Sequence, residues 1–117
     1  MTEKTNDALR DLSHSTLAFY ERFGVHPTLD GATNVFREEV NEFIEATHEG
    51  TNKTHIAEEA ADVIVTVIGL CKAAGVDTEQ LIEQMYAVIA KNDAKTHETH
   101  IYSDGKIRRR TSFSAEQ

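Results

Sequence analysis

Glu39-Val40-Asn41-Glu42 and Glu59-Ala60-Ala61-Asp62 each set two carboxylates three residues apart. At about 100° per residue, positions i and i+3 of a helix lie about 60° apart and point the same way. Both stretches sit among apolar residues at helical spacing. Around the first, Phe36, Val40, Phe43, Ile44 and Thr47 predict a buried face on a helix from Ala32 to His48, capped by Asp30 and ended by Gly50. Around the second, Ile56, Ala60, Val63, Ile64, Val67, Ile68, Leu70 and Cys71 leave a helix from His55 to Ala74 apolar nearly all round. Such a helix is expected to be buried on most sides. One narrow stripe of it carries Glu59, Asp62, Thr66 and Gly69. Two helices of this kind can aim four carboxylates at one point, which suits a hard divalent cation.

Acids on a buried helix are costly unless neutralised. Salt bridges to Lys or Arg are the competing explanation. Residues 1–90 weaken it, because they hold six basic side chains against sixteen acidic ones, while residues 91–117 hold six against four. Glu38, Glu45 and Glu49 fall opposite the buried face and need only water.

Working outward, Leu9, Leu12, Thr16/Leu17, Phe19/Tyr20 and Phe23 predict a first helix from Asp7 to Phe23, stopped by Gly24. Val25 to Gly31, with the single proline, reads as a loop. Thr51-Asn52-Lys53-Thr54 is a capping-prone turn. Asp77 with Gln80 forms a capping box ahead of a fourth helix whose apolar stripe is Leu81, Ile82, Met85, Val88 and Ile89. Asn92 continues that stripe where a Leu is expected, flanked by Lys91 and Lys95. Beyond Thr96 the chain reads as irregular, with Asp104-Gly105-Lys106 as a turn. Met1 to Asn6 are expected to fray, and residues 111–117 to form a disordered tail. The expectation is one helical domain over residues 1–110, all-α, a bundle of four to five helices completed by oligomerisation.

The net charge of −8, concentrated in residues 1–90, argues against nucleic-acid binding and is compatible with a metal and a phosphorylated small molecule. One cysteine, Cys71, permits no internal disulfide, and no signal peptide is visible, so a cytoplasmic setting is expected. The apolar run near residues 60–74 is broken by Asp62, Thr66 and Lys72, which makes it a core helix and not a membrane span. His97 and His100 lie three apart near the chain end and are expected to be solvated. Arg108-Arg109-Arg110 reads as a basic tail.

Oxygen donors without Cys or His select Mg²⁺, with Mn²⁺ as the alternative, over zinc. Mg²⁺ keeps several waters and is commonly shared with substrate phosphates. A carboxylate-rich site poor in other nucleophiles therefore points to phosphoanhydride hydrolysis by water. Lys91, Lys95, Lys106 and Arg108 are candidates to meet the remaining phosphate charge.

At Glu38-Glu39-Val-Asn-Glu42 and Glu59-Ala-Ala-Asp62 the sequence resembles the all-alpha nucleoside triphosphate pyrophosphohydrolase superfamily (MazG-like), whose pattern is EExxE followed by ExxD. The resemblance spans roughly residues 20–108. It implies an enzyme that cleaves the α–β bond of a nucleotide, releasing a monophosphate and pyrophosphate. Glu39, Glu42, Glu59 and Asp62 would be Mg²⁺ ligands, and Glu38 a further ligand or a water-orienting carboxylate. Glu58-Glu59-Ala-Ala-Asp62-Val-Ile is also close to phosphoribosyl-ATP pyrophosphohydrolase of histidine biosynthesis. Lys91-Asn92-Asp-Ala-Lys95 with Asp104-Gly105-Lys106-Ile107 is more like the broader group related to it, in which Lys91, Asn92, Lys95 and Lys106 would contact the nucleotide. The resemblance implies a homodimer or dimer-based homotetramer, and a role in nucleotide house-cleaning. From another class stands a non-catalytic helical interaction module whose acids hold a cation for structure alone.

Overall fold

Every helix among the described residues begins on a side chain that accepts a hydrogen bond from its own first turn. Asp7 accepts from the Arg10 amide at 3.0 Å and opens α1, Ala8–Arg22. The Thr28 hydroxyl accepts from the Gly31 amide at 3.1 Å and opens α2, Leu29–Glu49. Asn52 accepts from the His55 amide at 3.0 Å and opens α3, Lys53–Ala73. Asp77 and Gln80 bond reciprocally, at 2.9 Å each way, ahead of α4, Thr78–Asp93. Each cap satisfies an amide that no carbonyl can reach inside the helix. The computed structural model describes residues 7–111; the expected frayed start (Met1 to Asn6) and all but Thr111 of the expected tail lie outside the described residues.

Two boundaries differ from expectation. α2 starts at Leu29 and not Ala32, so the loop read over Val25 to Gly31 closes three residues earlier, and Thr28 replaces Asp30 as the cap. The threonine follows Pro27, whose fixed φ holds the approach to the helix, and its backbone is extended as a cap requires. α3 likewise starts at Lys53, two residues before His55, because Asn52 is the capping residue of its turn.

The larger difference lies after Thr96, where a turn in an irregular segment was expected. His100–Ser103 (β1) and Lys106–Arg109 (β2) pair antiparallel, with Ile101 opposite Arg108 and Tyr102 opposite Ile107. Asp104 and Gly105 both have positive φ, 53° and 77°, as a two-residue hairpin turn needs. Four-residue strands carry too short an alternation to stand out from a basic tail.

The chain divides into two compact units, with the boundary inside α4 after Ile82. The first holds α1 to α3 and the start of α4. α2 and α3, joined by Gly50 to Asn52, pack as a helical hairpin, and α1 lies against α3. Ala46, Ile68 and Ile82 are its buried apolar side chains, together with the polar Ser13, Thr16 and Thr66, and of these Ser13 is fully buried. Ile44 and Thr47, expected on the buried face of α2, are exposed, while Ala46 is buried in their place. Arg10 ties α1 to the first turn of α4 through an ion pair with Glu79. Gly69 marks the closest approach of α1 to α3: a Cβ there would stand 2.5 Å from the Tyr20 hydroxyl. The second unit is the rest of α4 with the β1–β2 hairpin. Within it Arg110 anchors the hairpin base, its Nε donating to the His97 carbonyl at 2.7 Å. No helix among the described residues is long and apolar enough to cross a membrane.

Candidate functional site

The α2–α3 hairpin makes the acidic signatures converge. Counting back along α2 and forward along α3 by equal steps from their connection brings Glu42 level with Glu59 and Glu39 level with Asp62. The structure bears this out at the side chains. Glu39, Glu42 and Glu59 each offer a carboxylate oxygen within 4.8 Å of the others. Oxygens around Mg²⁺ lie about 3 Å apart when adjacent and about 4 Å when opposite, so the three would have to draw together to share one ion.

Two features of the cluster call for a cation. Glu59 is only 14% exposed at its side chain, and its Oε1 is buried with no hydrogen-bond partner. Such an atom carries the full cost of desolvation. Glu39 has its pKa raised, first by burial and then by the charges of Glu42, Asp62, Glu59 and Glu38. Like charges crowded at a half-buried site disfavour ionisation, and a divalent ion placed among them reverses that sign. The donor set is all oxygen, which fits a hard cation and not a thiolate-seeking one.

The other expected site residues divide between the units. Asp62 is exposed and outside the three-carboxylate group, though near enough to act on Glu39. Glu38 is exposed beside it. Lys91, Asn92, Lys95 and Lys106 belong to the second unit. There Asn92, Lys95 and Lys106 border a concavity of about 580 Å³ together with His97, His100 and Tyr102. Lys95 Nζ donates to Asn92 Oδ1 at 3.0 Å, which fixes the lysine on the polar position of the α4 stripe.

Three residues near these groups were not among the expected site residues, and one of them, His100, was expected to be solvated but is half-buried. His55 Nδ1 lies 3.6 Å from Glu58 and 3.9 Å from Glu59 Oε2, so it faces the opposite edge of Glu59 from the orphaned oxygen. The i, i+4 spacing of His55 and Glu59 was the available signal. His100 and Tyr102 enter the second concavity through the hairpin, and only recognition of the strand pairing would have found them. His100 has its pKa lowered by burial and then by Lys95 and Arg109, and its Nδ1 lies 2.7 Å from the Thr99 hydroxyl.

No curated protein and no solved structure matches the chain. A family model does. It is described as phosphoribosyl-ATP pyrophosphohydrolase and matches residues 28–88, from the cap of α2 into α4. That interval holds both acidic signatures and leaves α1 and the hairpin outside. Half the chain, with the paired carboxylates at its centre, therefore places it: the chain belongs to the phosphoribosyl-ATP pyrophosphohydrolase family, within the all-alpha nucleoside triphosphate pyrophosphohydrolase superfamily.

Proposed function

We propose that the chain hydrolyses the α–β phosphoanhydride of a nucleoside triphosphate or related nucleotide, giving the monophosphate and pyrophosphate. The observation that carries this reading is the convergence of Glu39, Glu42 and the orphaned Glu59 on one point. These three, with Asp62, would hold Mg²⁺ or Mn²⁺, which when bound supplies neutralisation of the phosphate oxygens. Glu38 and Glu39 would orient a water and take its proton. Lys91, Asn92, Lys95 and Lys106 would meet the outer phosphate charge, Lys95 already oriented by Asn92.

A second reading is favoured by the family match itself. Phosphoribosyl-ATP is the substrate named in that family's description, and the α–β bond cleaved would be the same. Under either reading the chain would assemble as a homodimer or dimer-based tetramer, which the exposure of Phe23, Leu29 and Ile64 on a single chain favours.

The experiment is pyrophosphate release from a panel of nucleotides with Mg²⁺, comparing the wild-type chain with Glu39→Gln and Asp62→Asn. Metal-dependent turnover, lost in both folded variants, is expected. If no nucleotide is turned over, phosphoribosyl-ATP included, while Mg²⁺ still raises the melting temperature, the carboxylates are a structural cation site.

A further inference from the structure

The equal-step register that aligns the acids continues along the α2–α3 hairpin. Past Glu39 and Asp62, Val35 comes level with Thr66, and Ala32 with Gly69. At 1.5 Å per residue these levels stand about 6 and 10 Å beyond the acids. There the structure has a cavity of about 250 Å³ that includes these four residues, with Tyr20 and Thr28 among its walls. Pockets for drug-sized ligands run about 300–1,000 Å³, so this one suits part of a ligand. It begins where a phosphate chain held at the carboxylates would hand over to its sugar and base.

The chemistry of the walls narrows what enters. None of the lining side chains is charged. The Thr28 hydroxyl is taken by the Gly31 amide, and the Thr66 hydroxyl donates to the Val63 carbonyl at 2.7 Å. The Tyr20 hydroxyl has no such commitment to a described residue, and it rests against Gly69, where only hydrogen leaves it room. Burial holds its phenol above the ordinary range, so it remains a neutral donor and acceptor.

We infer that this cavity receives the nucleobase of the substrate, and that Tyr20 on α1 is the residue that selects among bases. The inference rests on the nucleotide-hydrolase reading above and deepens it. A flat, uncharged ring buries apolar surface against Val35, Ala32 and the face of Gly69, and meets one hydrogen-bonding group. A base carrying an anionic phosphoribosyl substituent would bring a phosphate against walls that hold no cation to pair with it. Selection therefore falls to α1, an element outside residues 28–88 that the family match covers. The substrate class is then nucleotides whose base is free of charged substituents.

The test has two arms on the full chain. In the first, adenosine, guanosine, cytidine and thymidine are titrated without metal while backbone amide resonances are followed by NMR. Shifts centred on Ala32, Thr66 and Gly69 are expected for at least one nucleoside. Absence of shifts there for all four overturns the pocket assignment. In the second arm, pyrophosphate release is measured for the common triphosphates and for phosphoribosyl-ATP in wild type, Tyr20→Phe and Gly69→Ala. Tyr20→Phe keeps the ring, and its expected effect is a change in the ratio of KM values between bases of roughly two- to tenfold, the equivalent of one net hydrogen bond. Gly69→Ala displaces the hydroxyl and is expected to raise KM for every base with kcat little changed. A phosphoribosyl-ATP kcat/KM at or above that of the best triphosphate, or base ratios unmoved by Tyr20→Phe, overturns the inference. Failure of the parent reading looks different: no pyrophosphate from any nucleotide, whatever the nucleosides do at Gly69.

Discussion

Glu59 Oε1 is the most informative single atom in the chain. A carboxylate oxygen buried without a partner is rare in a stable fold because nothing offsets its lost hydration. An ion held there would account for it, and that can be measured without any substrate. At Mg²⁺ one hundred times its dissociation constant, the folded state should gain about 2.7 kcal/mol, seen as a higher Tm. In Glu59→Gln that gain is expected to vanish. The same substitution also removes a repulsive charge beside Glu39, so its metal-free Tm is expected to match or exceed that of the wild type. A wild-type Tm unmoved by Mg²⁺ would remove the cation from the account. For turnover, metal stabilisation of transition-state charge is worth several kcal/mol, so Glu39→Gln should cost at least ~10²-fold in kcat.

At the scale of elements, caps and the hairpin carry separate expectations. Asn52 alone accepts from the His55 amide, and it sits in the short connection that sets the α2–α3 register. Asn52→Ala should lower stability by about 1 kcal/mol, read as a fall in Tm, while Asn52→Asp should keep most of it. The hairpin is expected to respond to acid through His100. A histidine whose folded pKa is depressed contributes stability that is present above its ordinary value near 6.5 and is lost as pH falls through the lower folded value. The exchange protection of amides in His100–Ser103, relative to the intrinsic rate at each pH, should therefore fall as pH drops below about 6.5, and His100→Gln should flatten that dependence. Unchanged protection in the wild type from pH 7 to 5 would show that the proton on His100 is not coupled to the hairpin.

For the whole molecule, the imbalance is between thin core and wide apolar surface. Among the described residues, Ala46, Ile68 and Ile82 are the buried apolar side chains, whereas Phe23 is 68% and Leu29 55% exposed. Monomers rarely leave contiguous apolar patches open. Sedimentation of the 13.1 kDa chain at micromolar concentration is expected to give a dimer or tetramer. Ile64→Glu, on the outer side of α3, should shift it toward the monomer. A wild-type monomer at all concentrations would refute this assembly.

The sequence by itself determined the four helices and the acids that matter. Capping residues, glycine stops and 3.6-residue periodicity are local signals, and the EExxE and ExxD spacings place their carboxylates on one helix face whatever surrounds them. Tertiary structure decided the rest. Which of the four acids meet depends on the register of α2 against α3, set by a short connection and by packing, and it brings Glu39, Glu42 and Glu59 together with Asp62 at the margin. The burial that strands Glu59 Oε1 exists only in the folded chain, and the approach of Tyr20 to Gly69 across 49 positions of chain only once α1 lies on α3. The hairpin escaped notice because two four-residue strands gain their pattern from pairing with each other, and pairing is a relation between segments that no single stretch of residues displays.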